Sequence, residues 1–398
     1  MRPANPGKKC YVLLLPFLLF ACFGIARAQQ AATEVPAAGQ SATSGGEEGG
    51  AVTPAQNRSA AASSANGDVA KPAMPGGQTV LVKDENDIPK RKNMEYEDWS
   101  SPELTPGMKT EAVPLLKAEL NGFSRELVSV QWRELDPIDL WIIKPAGVKN
   151  PPVVLYLYSS PADNARYKDT QFCQFVTRNG VAAVGFVAAV TGQRLHDRPT
   201  KDTFINQLQE ALGSTSHDVQ MILTYLAKRG DLDMNRVGMW GDGAGASVAI
   251  MAAAVDPRIK ALDLLDPWGD WPDWLANSSL VRDSERATLL KPEMLKMVEK
   301  LDPIKYLPQL KTPLVRLQYI EEGLTATPAL VQQKMEAAAP SQVNIVRYQS
   351  MKAFLDDVAS KGTGFDWIKE RVGSVVAGQA NESHDAEKAA ANLSGSSK

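Results

Sequence analysis

The chain has 398 residues, of which 44% are hydrophobic, 22% charged and 7% aromatic, a globular balance that excludes fibrous, wholly disordered and polytopic membrane classes. Its formal charge is −3, and removing the four cations of the first 28 residues, Arg2, Lys8, Lys9 and Arg27, leaves −7. That sign excludes a nucleic-acid footprint.

The leading segment has the layout of an export signal: a basic start, an apolar run from Tyr11 to Ile25, and small residues before Gln29. Ala26-Arg27-Ala28 predicts cleavage after Ala28, so residues 1–28 are a signal peptide and no transmembrane span is expected afterwards. The expected location is periplasmic or secreted. Leu19-Phe20-Ala21-Cys22 also resembles a lipobox, in which Cys22 would be lipidated, although Phe20 is bulky for its place. Past the signal only Cys173 is left, so an intrachain disulfide is excluded.

Residues 29–78 contain no aromatic, Leu or Ile and read as a disordered low-complexity linker; residues 376–398 read as a disordered tail of similar composition. Between them, 79–375 forms one domain. Strands are predicted over Glu126–Arg133, Ile138–Lys144 and Val153–Tyr158, with an antiparallel opening. A helix over Tyr167–Arg178, a strand over Val181–Val187, a helix over Thr203–Arg229 and a strand over Arg236–Trp240 follow. Gly241-Asp242-Gly243-Ala244-Gly245 then leads into a small apolar helix over Ala246–Val255 and a strand over Ile259–Leu265. Strands over Pro313–Tyr319 and Val343–Tyr348 and helices over Pro328–Ala338 and Gly364–Val375 complete the domain. This alternation predicts a mostly parallel sheet with helices on both faces.

The strand, the glycine-framed turn and the small-residue helix resemble the nucleophile elbow G-x-S-x-G of the α/β-hydrolase superfamily, in its dienelactone hydrolase and prolyl oligopeptidase-like branch. His217-Asp218-Val219, Asp231-Leu232-Asp233 and Arg236 to Gly241 resemble the helix and strand that lead into that elbow. The resemblance implies an α/β-hydrolase fold, and it implies that Gly241 and Gly245 frame the turn while Gly243 occupies the nucleophile position. A glycine there keeps the strained turn and supplies no nucleophile. The family's acid falls on Glu322 and its His on Lys352, so the triad is degenerate; an ion pair between Lys352 and Glu322 is the expected remnant. Centring the motif on Asp242 would recover a carboxylate only by breaking the frame. Ser247 reads as a helix-packing serine.

Other candidates lie on the same sheet edge. His196, beside Arg194, Asp197 and Arg198, is either a non-standard catalytic group or a loop histidine making a structural hydrogen bond; His217 reads as a helix-start residue, and His384 stands in the tail. Tyr158-Ser159-Ser160-Pro161 takes the place of the oxyanion turn, with Ser159 and Ser160 as ligand-binding candidates. Trp268, Trp271 and Trp274, among acids, form either a cap packed over the sheet or an aromatic platform for a ring-bearing ligand. No metal or cofactor is expected, because the acids lack calcium-loop spacing and no His or Cys accompanies them. These features point to an exported hydrolase-fold protein that binds a small molecule or protein partner without catalysis, against two alternatives: an esterase or peptidase acting through Asp242 or His196, and an envelope scaffold.

Overall fold

The computed structural model describes residues 97–104, 108–133, 136–159, 165–189, 208–360 and 365–373. The expected signal, linker and tail, and with them Cys22, Ser160, His196 and His384, lie outside the described residues. Nine strands form one sheet in the order β1-β2-β3-β5-β4-β6-β7-β8-β9. They are β1 (Glu111–Leu120), β2 (Phe123–Gln131), β3 (Ile138–Pro145), β4 (Pro152–Leu157), β5 (Ala182–Phe186), β6 (Asp233–Asp242), β7 (Ile259–Leu265), β8 (Leu314–Glu322) and β9 (Asn344–Ser350). The pairings β1–β2, β2–β3 and β3–β5 are antiparallel and every later one is parallel. The expected antiparallel opening and parallel remainder are both present.

Central strands alternate their apolar residues between two cores because successive side chains point to opposite faces. Val153, Leu155 and Leu157 of β4 join one cluster, and Val154 and Tyr156 join the other. The first is covered by α3 (Leu208–Arg229) and α4 (Ala244–Val255), the second by α2 (Thr170–Thr177) and α10 (365–373). In α4 all but the last two residues are buried, which its run of Ala, Gly, Ser and Val permits by letting the backbone lie close to the sheet.

Several elements depart from the sequence reading. The helix expected over Tyr167–Arg178 is split into α1 (Ala165–Lys168) and α2, because the Asp169 carboxylate accepts from Phe172 N at 2.7 Å and starts a new helix. Strand β1 escaped notice because it alternates nothing: its first seven residues are all exposed. With Pro114, Lys117 and a register shift after Pro114, this edge carries three devices that discourage pairing with another chain. Helices α5 (Trp271–Asn277), α6 (Asp283–Leu289) and α7 (Pro292–Val298) were not anticipated, nor was α9 (Met351–Ser360), which begins directly where β9 ends. Helix α8 (Ala329–Ala338) lies where predicted.

One buried ion pair ties the parallel strands together. Arg316 on β8 donates twice to Asp263 on β7, at 2.8 and 2.6 Å, and Gln318 adds a third bond at 2.7 Å. The Asp263 side chain has no exposed surface, so its charge depends on these partners. No helix among the described residues is long and apolar enough to cross a membrane.

Candidate functional site at the end of strand β6

Strand β6 ends at Asp242, and the chain turns at Gly243 directly into α4. Gly243 has φ +54° and ψ −118°, a conformation that L side chains rarely adopt. Its N–H donates to Leu265 O at 2.9 Å and its carbonyl accepts from Ser247 N at 3.1 Å. Contact rather than conformation selects the framing glycines, neither of which has a positive φ. A Cβ on Gly241 would lie 2.6 Å from Ala246 Cα, and one on Gly245 would lie 2.5 Å from Leu157 O. The turn is therefore tight on both sides.

The space above Gly243 is already filled. A Cβ built there would meet Ser159 Oγ at 2.8 Å and the Trp268 ring at 3.2 Å. Ser159, just beyond β4, turns its hydroxyl toward Asp242 and donates to Oδ2 at 3.4 Å. Burial pushes the Asp242 carboxyl up to about 6, against the Arg166 charge and the Ser159 hydroxyl, which lower it. The Arg166 guanidinium lies 3.6 Å above the Tyr158 ring. Asp242, Ser159, Arg166 and Tyr158 thus form one polar corner.

A second carboxylate adjoins it. Asp266, the first residue after β7, is 3% exposed, has φ +45° and accepts from Ile320 N at 2.9 Å. Burial, and then the Asp242 charge, push its carboxyl well above the usual range. The sequence reading places acids around Trp268, Trp271 and Trp274 and does not name Asp266. Its place after the strand next to the elbow was the available signal.

The three tryptophans fill the core. Trp268, Trp271 and Trp274 are 4%, 1% and 1% exposed, with ring centroids 4.5 Å apart for Trp268–Trp274 and 5.8 Å for Trp271–Trp274. Trp271 Nε1 donates to Leu301 O at 3.0 Å, and Ser247 Oγ donates to Trp268 O at 2.7 Å while accepting from Trp268 N at 3.0 Å. The platform alternative is thereby corrected: no face of Trp271 or Trp274 is left open for a ring to stack on. Ser247 has the packing role expected of it, fixing α4 to this segment.

Glu322 and Lys352 do not meet. Glu322 ends β8 opposite Ser350 and is exposed, and the Gln349 amide donates to its carboxylate. Lys352 pairs at 2.5 Å with Asp356, one turn along α9, and its side chain is 79% exposed. The expected Lys352–Glu322 ion pair is corrected, since helix formation immediately after β9 gives Lys352 a nearer carboxylate. His217 is also corrected: it sits in the middle of α3, fully buried, rather than at a helix start. Among the described residues no group of three or more His, Cys, Asp or Glu is placed to hold a metal ion.

No protein-family model matches the sequence, and no curated protein does. Solved structures do. The acetyl xylan esterase 1 of Thermoanaerobacterium sp. JW/SL YS485 aligns at 17% identity and a TM-score of 0.50, covering 66% of this chain and 88% of that one. An acetyl xylan esterase from Paenibacillus sp. R4 aligns at 16% identity and a TM-score of 0.49, covering 63% and 84%. An S-formylglutathione hydrolase from Agrobacterium tumefaciens aligns at 13% and 0.47, covering 65% and 99%. At such identity the likeness concerns the fold.

Proposed function

With an α/β-hydrolase fold as the premise, we propose that this chain is an exported, non-hydrolytic member of that fold, which binds a small molecule or a protein partner at the former active-site face. The observation that carries the reading is Gly243: the nucleophile position has no side chain, and Ser159 and Trp268 occupy the direction a side chain would take. The family positions for acid and base support it, because Glu322 and Lys352 each have a different partner. A nucleophile without a base in hydrogen-bond reach gains little from the elbow. The corner of Ser159, Asp242, Arg166 and Tyr158 is the surface offered to a ligand, with a guanidinium and a carboxyl side by side. Purified protein should show no turnover of p-nitrophenyl acetate above the buffer rate. Export belongs to the same proposal: N-terminal sequencing of the mature protein should begin at Gln29, and a lipidated start at Cys22 would place it on a membrane instead.

A second reading is favoured by one contact. Ser159 Oγ lies 3.4 Å from a carboxylate whose proton affinity is raised to about 6, close to what a general base needs at neutral pH. In that reading Asp242 takes the Ser159 proton and Ser159 attacks an ester carbonyl. Ser159→Ala would then abolish a turnover that the wild type shows.

A further inference from the structure

Trp141, Tyr167, Tyr156 and Trp240 stand in one row across the middle of the sheet, within the core beneath α2 and α10. Trp141 of β3 is paired with Gly185 of β5, Gly185 with Tyr156 of β4, and Tyr156 with Trp240 of β6. Directly paired residues point to the same face, so Gly185 leaves a gap in the row. Tyr167 of α1 fills it: a Cβ on Gly185 would lie 1.7 Å from the Tyr167 hydroxyl oxygen. A glycine inside a strand weakens it, and here it admits the hydroxyl. The Tyr167 carbonyl holds the residue in place, accepting from Arg125 Nη1 and from Cys173 Sγ at 3.2 Å each.

The polar tips of this row have no protein partner. Tyr156 is 0% exposed and the other three are 2% exposed, and among the described residues neither hydroxyl and neither indole N–H is hydrogen-bonded. Phe365 of α10 closes the row from above, 4.6 Å from the Trp240 ring and 6.1 Å from that of Tyr156. Phenylalanine would fill the places of Tyr156 and Tyr167 without burying a hydroxyl. A buried polar group left unpaired costs more than an ordinary hydrogen bond returns. Folded chains leave few such groups, so four in one row call for a partner that the described residues do not supply.

The chemistry of the row defines that partner. An indole N–H can only donate, and burial pushes both phenols well above their ordinary range, so they keep their protons and donate as well. The partner must therefore accept. It must also be uncharged, because the row has no cation to hold an anion, Asp263 and Asp366 oppose negative charge at Tyr156, and a cation would find no carboxylate in the row. We propose that Trp141, Tyr156, Tyr167 and Trp240 form an internal site for a small uncharged molecule that presents an oxygen as hydrogen-bond acceptor: a hydroxyl, a carbonyl or, as the smallest of the class, water. The site adjoins the polar corner through Tyr158, whose ring lies 5.0 Å from that of Trp240 and carries Arg166, but it uses none of the corner's side chains.

Thermal melts of the full chain carrying Tyr156→Phe or Tyr167→Phe test this. Each substitution removes one donor and keeps the ring, so each should lower Tm by about 2–4 °C when the hydroxyl is engaged. A fall in one variant alone would place the molecule beside that hydroxyl. An unengaged hydroxyl gives the opposite sign, because its removal relieves the cost of burying it. An unchanged or raised Tm in both variants would overturn the proposal. Near-UV circular dichroism reports whether the aromatic packing survives; where it does not, a crystal structure of the wild type decides. Density in contact with at least two of the four groups is expected, a single oxygen identifying water and a larger shape an organic guest. An empty row, or an oxygen of the chain itself against these donors, would contradict the site.

Discussion

A serine at position 243 would incur two separate costs, one from its backbone and one from its neighbours. At φ +54° a Cβ is strained, and in this place it also meets Ser159 Oγ at 2.8 Å. Gly243→Ser should therefore lower the free energy of unfolding by about 1–3 kcal/mol in urea denaturation and should confer no ester turnover. Adding Lys352→His should not rescue it, because that position looks outward toward Asp356. Asp242 gives a pH signature with the opposite sign to an ordinary carboxylate. Its folded value lies near 6 and its ordinary value at 3.8, so its contribution to stability falls as pH rises between them. Asp242→Asn should remove that fall and be more stable than the wild type at pH 7, measured by thermal melts across pH 4–8. The sequence disclosed Gly243 and Asp242 but not their surroundings. What fills the space above a glycine depends on Ser159 and Trp268, from segments 84 residues before and 25 after it, and no local pattern encodes that meeting.

Among the elements, the central strands were readable because burial on both faces forces a run of β-branched and apolar residues, as in Val153 to Leu157. Edges and short helices were not. Strand β1 buries no face and so has no periodicity to detect, and α9 begins directly where β9 ends, with no turn signal between them to mark its start. A pair of charges can also hold elements together, and β7–β8 offers the clearest test. Arg316→Met leaves Asp263 buried with only Gln318 as partner and should cost about 3–5 kcal/mol. Replacing both, as Asp263→Leu with Arg316→Met, should recover most of that loss, because no charge is then left uncompensated. Equal losses in the single and double variants would show that the pair contributes shape rather than charge.

At the scale of the whole molecule, the sheet order places the tight turn at Gly243 between the end of β6 and α4. Asp242 and Asp266 stand beside it, and Arg166 lies over Tyr158 near Asp242. A shared fold does not fix a shared chemistry. The fold class was legible from alternating periods and the glycine frame, whereas the polar corner was not, because Tyr158 and Ser159 follow β4, Asp242 ends β6 and Arg166 lies on α1. The most direct test is a progress curve for p-nitrophenyl acetate with purified wild-type protein, run beside Ser159→Ala and Asp242→Asn. All three should match the buffer rate; sustained wild-type turnover that either substitution abolishes would contradict a non-hydrolytic role and assign the chemistry to Ser159 and Asp242.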